Sequence, residues 1–265
     1  CIEIFVFRRL ICGYPTNALL KMFATLHQQV LKNKKEEDSY YDVMVYLLEN
    51  RKRTVVFPKD DEFRQSFIEK PVYLMRPKSR TYILDRLENG NSKEKIDVIN
   101  NVQKGELSVE HIMPQTLTQH WKDQLGSDYS RIHEEWLHTI ANLTLTGYNV
   151  QYSNRPFLEK KEDKNGFAAS PLRLNKYISK FDKWTEAELK ERQTEMGKRA
   201  LAVWPYPETS YKPAVKFDDE VSVYDEDFVF KGRKINSFTL NGTIYSVPDW
   251  ADTIRDTFKL LYEIN

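Results

Sequence analysis

Apolar residues recur at helical spacing through the first hundred positions. Leu19, Leu20, Met22, Phe23, Leu26 and Val30 form one run, and Val43, Val45, Tyr46 and Leu48 form another. A repeat near 3.6 with polar residues between predicts amphipathic helices that bury one face. The charged stretch from Lys32 to Asp38 joins the two as a solvated loop. Asp60-Asp61-Glu62 ahead of Phe63 predicts a further helix start, because carboxylates favour the positive end of a helix dipole. From Glu88 to Lys104 the chain turns charged around Asn89-Gly90-Asn91 and reads as a hinge.

The period changes near the end of the chain. Trp204-Pro205-Tyr206-Pro207 stops any helix that reaches it. Beyond it, Val221, Val223 and Phe228 to Phe230 suggest short strands. Phe238 to Leu240 and Thr243 to Tyr245 flank Asn241-Gly242, a strong hairpin signal. Pro248 stands where a helix would begin, and Trp250, Ile254, Phe258 and Leu261 make one apolar stripe. The pattern divides the chain into a helical region (1–100), a central region (101–210) and a small α+β module (211–265) that breaks off as if truncated. The fold class is α+β, mainly helical.

Composition narrows the classes of function. The 265 residues are 40% hydrophobic, and no stretch of about 18 apolar residues offers a membrane span. The opening segment is too short and too quickly charged for a secretory signal, and it begins with Cys, so the sequence reads as a piece of a longer cytoplasmic protein. Cys1 and Cys12 form no CxxC pair, which disfavours a thiolate zinc site. A net charge of +1 means that any contact with nucleic acid must come from local clusters. Arg8-Arg9 and Arg51-Lys52-Arg53 are such clusters, although short basic runs are usually plain surface.

The central region carries the candidate chemistry. Leu107-Ser108-Val109 leads as a strand into Glu110-His111, and adjacent strand residues point to opposite faces. The pair therefore suits two separate tasks better than one shared metal, unless a bend near Pro114 turns both toward one phosphate. Ile140 to Thr146 reads as a second strand, followed by a turn at Gly147 and by Ser153-Asn154 as a possible helix cap. Phe157 to Lys164 is charged and can bring Lys160 or Lys161 to a phosphate. A carboxylate and an amide oxygen can hold a hard divalent ion, and a neutral histidine, with an ordinary pKa of about 6.5, can take a proton from water. These are the ingredients of one-metal phosphodiester hydrolysis. His120, His133 and His138 are expected to be ordinary surface or core residues. The five-residue spacing of the last two does not make a metal pair on one helix face.

Val109-Glu110-His111-Ile112-Met113-Pro114-Gln115, then Ala141 to Thr146 with Asn149, then Ser153-Asn154-Arg155-Pro156-Phe157 with Lys160, resembles the HNH-like nuclease domain at the C-terminal end of GmrSD-type restriction endonucleases. The likeness runs on through Asn175, Trp184 and Arg192 to Trp204-Pro205, and the helical region resembles the segment that precedes that nuclease. The resemblance implies a His-Me finger (HNH, ββα-metal) core between the helical region and the C-terminal module. It implies His111 as general base, Glu110 as the acidic metal ligand where many HNH enzymes have Asp, and Asn142 as a residue that braces the loop and orients the histidine. Asn149, with Asn154 as alternative, would complete the ligand set for Mg²⁺ or Mn²⁺, and Lys160 would bind phosphate. The implied substrate is double-stranded DNA carrying a modification, such as a glucosylated base or a phosphorothioate. Its recognition, with any nucleotide hydrolysis, would belong to a ParB-like domain outside this sequence, which also has no GxxxxGK[ST] phosphate loop. The competing reading is an HNH-like module that has lost catalysis and serves to bind DNA or to regulate.

Overall fold

A computed structural model describes residues 1–51, 55–90, 92–213 and 234–263. It separates the chain into two compact units, 1–212 and 213–265. The strands expected around Val221, Val223 and Phe228 to Phe230 lie outside the described residues, as do Lys52, Arg53 and Asn91.

The first unit opens with α1 (Ile2–Ile11), α2 (Leu19–Asn33) and α3 (Tyr40–Glu49). Leu19, Met22, Leu26 and Val30 of α2 share a stripe and are buried with Phe5, Val43 and Leu48. Leu20, expected in that run, is 83% exposed, because one residue turns about 100° around the axis and leaves the stripe. Ser39 caps α3 by accepting a hydrogen bond from the Asp42 amide. The acids at 60–62 occupy the first turn of α4 (Asp60–Glu69), as their charge favours.

A second core reaches across residue 100. Phe7, Phe63, Phe67, Ile83 and Leu84 pack in one cluster with Leu143, Leu145, Leu174, Met196 and Trp204. Among the described residues, then, no break in packing falls where the first two regions were expected to divide. The expected hinge is also a tie. Glu88, near the end of α5 (Pro77–Asn89), is 1% exposed, and its carboxylate accepts the backbone amides of Arg173 at 2.7 Å and Leu174 at 2.9 Å. It thereby satisfies two donors at the start of α11 (Arg173–Ile178), which otherwise have no partner within the helix. The chain continues from α5 through α6 (Val98–Gln103). Arg8 and Arg9 are not phosphate contacts either. Both are buried, Arg8 on Trp204 O, Pro58 O and Asp60, and Arg9 on Val56 O and Pro15 O.

The centre of this unit is a two-stranded antiparallel ribbon. Strand β1 (Ser108–His111) pairs with β2 (Leu143–Thr146), with Glu110 opposite Thr144 and His111 opposite Leu143. Between them the chain makes α7 (Gln119–Leu125) and α8 (Tyr129–Trp136). After β2 come α9 (Asn149–Tyr152) and α10 (Phe157–Glu162). Ser153 and Asn154 do not cap α10. Pro156 holds that position, and Ser153 ends α9 with a φ of 40°.

All four residues of β2 are buried, so its outer edge must find hydrogen-bond partners other than water. Side chains supply them. Arg192, on α12 (Glu186–Val203), donates to Ala141 O at 3.1 Å and Leu143 O at 2.8 Å, and Asn175 of α11 donates to Leu145 O at 2.9 Å. These alternate carbonyls are the ones that face away from β1, so an arginine and an asparagine stand in for a third strand.

The second unit holds the expected hairpin. Strand β3 (Ser237–Leu240) pairs with β4 (Thr243–Ser246) through Asn241 and Gly242, both at positive φ (52° and 81°). That is the left-handed pair that a two-residue hairpin turn needs. Helix α13 (Trp250–Glu263) starts two residues beyond Pro248, with Asp249 accepting the Asp252 amide at 2.8 Å. Among the described residues no helix is long and apolar enough to cross a membrane.

Candidate active site

His111 closes β1, and its position is set by the backbone on both sides. The Ile112 amide extends the ladder to Asn142 O at 3.0 Å. The Asn142 side chain then imitates one more residue pair, accepting the Met113 amide at 2.8 Å and donating to Met113 O at 2.9 Å. Its amide also donates to Leu137 O, and its oxygen receives the Trp184 indole. Asn142 is fully buried and its hydrogen-bonding capacity is spent on protein. Asn142, a candidate catalytic residue, in this geometry ties the chain after His111 to the end of α8.

Glu110 and His111 point to opposite faces of the ribbon. Glu110 is 4% exposed, and its Oε1 accepts from the Lys160 ammonium at 2.7 Å. Lys160 is fully buried and also donates to His111 O at 3.0 Å and Ile112 O at 3.2 Å. Burial pushes the Glu110 carboxyl up and the Lys160 ammonium down, and each partner's charge opposes the other's shift. The expectation that Lys160 binds phosphate is corrected here. Its three donors are consumed inside the protein, where they hold the last turn of β1. Lys160 follows Phe157 by three residues, so both lie on the buried face of α10, which is the signal that a sequence reading could have used. Lys161 is engaged as well, with Phe181 O and Asp182.

Asn149, the first residue of α9, lies along β1. Its amide nitrogen donates to Val109 O at 3.0 Å and to Ser108 Oγ at 3.3 Å, which leaves its oxygen uncommitted. Asn154 sits in the turn between α9 and α10, and no hydrogen bond ties it to β1. The structure thus gathers Glu110, His111, Asn142, Asn149 and Lys160 around β1 but leaves Asn154 outside the network. A cavity of about 540 Å³ opens near the other end of the ribbon, beside Thr146 and Tyr148. None of the six candidate residues lines it.

The donor chemistry suits a hydrated hard cation. Lys160 engages only one oxygen of Glu110, so the other carboxylate oxygen and the Asn149 amide oxygen are left without a hydrogen-bond donor, and these are the oxygen types that Mg²⁺ takes beside its waters. Among the described residues no group of three or more His, Cys, Asp or Glu could hold an ion.

On the other face, the His111 ring packs 4.2 Å from the Tyr73 ring and 5.5 Å from that of His138. His111 is 5% exposed, and its Nε2 is buried without a hydrogen-bond partner. Burial, followed by the positive surroundings of His138 and Lys160, pulls its pKa down to about 3, so the imidazole is neutral at neutral pH. Tyr73 belongs to a one-turn 3-10 helix, Val72–Leu74, and its amide donates to His138 O at 3.1 Å. Tyr73 has no periodic signal, and His138 is classed with the ordinary histidines on sequence. Their place beside His111 is a product of the tertiary fold alone.

This depressed pKa has a consequence for stability. Below pH 6.5 the unfolded chain takes up a proton that folded His111 refuses, so the folded state weakens as the pH falls toward about 3. The expected slope is about 1.4 kcal/mol per pH unit within that window. Urea unfolding at pH 7, 6 and 5 checks it, and His111→Gln should flatten the dependence.

Searching the curated proteins returns no match to this chain. The family model for the C-terminal domain of GmrSD restriction endonucleases matches residues 57–199, more than half of the sequence. That span runs from before α4 into α12, and so contains the whole ribbon, its flanking helices and most of the shared core. The chain belongs to the family of GmrSD restriction endonuclease C-terminal domains.

Proposed function

We propose that this chain is a metal-dependent DNA endonuclease of the His-Me finger (HNH, ββα-metal) type, with His111 as general base. The observation that carries the reading is a neutral histidine at the end of β1 with an unpartnered nitrogen, fixed by the Asn142 brace beside a carboxylate on the opposite face. A neutral imidazole can accept the proton of an attacking water, provided that the approaching phosphate supplies negative charge to raise its basicity. Glu110 and Asn149, with Asn154 as the alternative, would hold one Mg²⁺ or Mn²⁺, whose chemistry is to stabilise charge on the leaving oxygen. Asn142 keeps the imidazole in register, and Lys160 keeps Glu110 and the end of β1 in place. The substrate is double-stranded DNA, and the choice of modified DNA is assigned to a ParB-like nucleotide-hydrolysing domain beyond these residues, in a cytoplasmic restriction system.

One observation favours a second reading. The close Glu110–Lys160 pair occupies an oxygen that a metal site would use, which suits an HNH-like module that binds DNA without cutting it. Incubating supercoiled plasmid with the purified chain decides between them. Nicking that requires Mg²⁺ or Mn²⁺ and stops with EDTA is expected. Binding without any nicking, in every divalent ion tested, would select the inactive module.

A further inference from the structure

With Lys160 enclosed, the site still needs a cation for the phosphate that His111 would serve. Several other arginines of the first unit are already committed. Arg131, Arg155 and Arg173 pair with carboxylates, and Arg8, Arg9 and Arg192 are buried on carbonyls. Arg80 differs. It lies on α5, half-buried, and its Nη1 donates to Tyr73 O at 2.9 Å. Its guanidinium carbon stands 4.7 Å from the centroid of the Tyr73 ring, and the same ring lies 4.2 Å from the His111 ring. The guanidinium is therefore no farther from the imidazole than those two distances combined. Among the described residues no carboxylate pairs with Arg80.

We propose that Arg80 binds a phosphate of the cleaved strand, with Tyr73 as the positioning residue whose ring packs against both the guanidinium and the His111 imidazole. A planar guanidinium matches two phosphate oxygens at once, which a lysine cannot do. Stacking on Tyr73 and the bond to its carbonyl hold the fork in place before DNA arrives, so little side-chain freedom is lost on binding. Lys160 and Arg80 are among the cations that disfavour a charged His111, and an anion entering there offsets them. The segment that carries Tyr73 and Arg80 precedes the ribbon by some thirty residues, so the helical region completes the site as well as supporting it.

This inference rests on the nuclease reading of His111, and its test separates the two. Binding of a short duplex is measured against salt, without divalent ions, in the His111→Ala chain and in the same chain carrying Arg80→Gln. Loss of one phosphate contact should lower the slope of log K against log salt by about 0.9. An unchanged slope in a folded Arg80→Gln chain overturns the proposal. Arg80→Lys, made with His111 intact, is the second arm. It keeps the charge and hence the slope, but should cut plasmid on the order of tenfold more slowly for want of the fork geometry. Undiminished cutting by Arg80→Lys would overturn the two-oxygen contact. A lower slope in Arg80→Gln together with full cutting by His111→Ala would support Arg80 as a phosphate ligand and reject His111 as the base.

Discussion

His111→Ala is expected to lower divalent-dependent DNA nicking by about 10²- to 10⁴-fold, the range contributed by a positioned general base. The loss should come without unfolding. The ring sits at the end of β1, and the local backbone is held by Asn142 and Lys160, neither of which bonds to the imidazole. Removing a buried polar ring whose Nε2 has no partner also relieves a desolvation cost, which offsets part of the cavity left behind. A time course of nicking beside a urea unfolding curve checks both halves of this expectation. Nicking at the parent's rate by a folded His111→Ala chain would remove the base from the mechanism. A variant that cannot fold would show instead that His111 serves the structure first.

Lys160→Met carries the largest expected cost in stability, about 3–5 kcal/mol, the usual penalty for leaving one member of a buried ion pair alone. The loss has three parts. Glu110 would remain as a nearly enclosed carboxylate without its cation, and the carbonyls of His111 and Ile112 would lose their donor. The double variant Glu110→Leu with Lys160→Met should recover much of the loss, since no buried charge is then unpaired. Chemical denaturation of the two single variants and the double variant measures the coupling. If Lys160 contacted DNA instead, Lys160→Met would leave the unfolding midpoint in place and flatten the salt dependence of binding.

The same pair explains why a basic residue in a nuclease motif is an unsafe guide to phosphate. Lys160 and Arg80 look alike as isolated cations in a sequence. One is enclosed by Glu110 and two carbonyls, and the other is half-buried against the Tyr73 ring. Arg8-Arg9 and Glu88 repeat the lesson. A charged doublet and a charged hinge in the sequence are, in the folded chain, an internal lattice of carbonyl contacts and a helix cap.

Local rules were enough where the physics is local. The buried stripe of α2 follows from apolar spacing, the start of α4 from three acids in its first turn, and the β3–β4 turn from Asn241-Gly242, whose backbone tolerates positive φ. The pattern around Glu110-His111 was likewise enough to point to the family. Tertiary structure decided the state of each ionisable group at the site. The environment of a charge is set by partners far away in the chain. Lys160 meets Glu110 across fifty residues, Arg192 reaches Leu143 across forty-nine, and Tyr73 comes to His111 from a turn with no periodic signal. Because desolvation of a charge costs far more than any local propensity can supply, those distant pairings settle which residues are free to meet DNA.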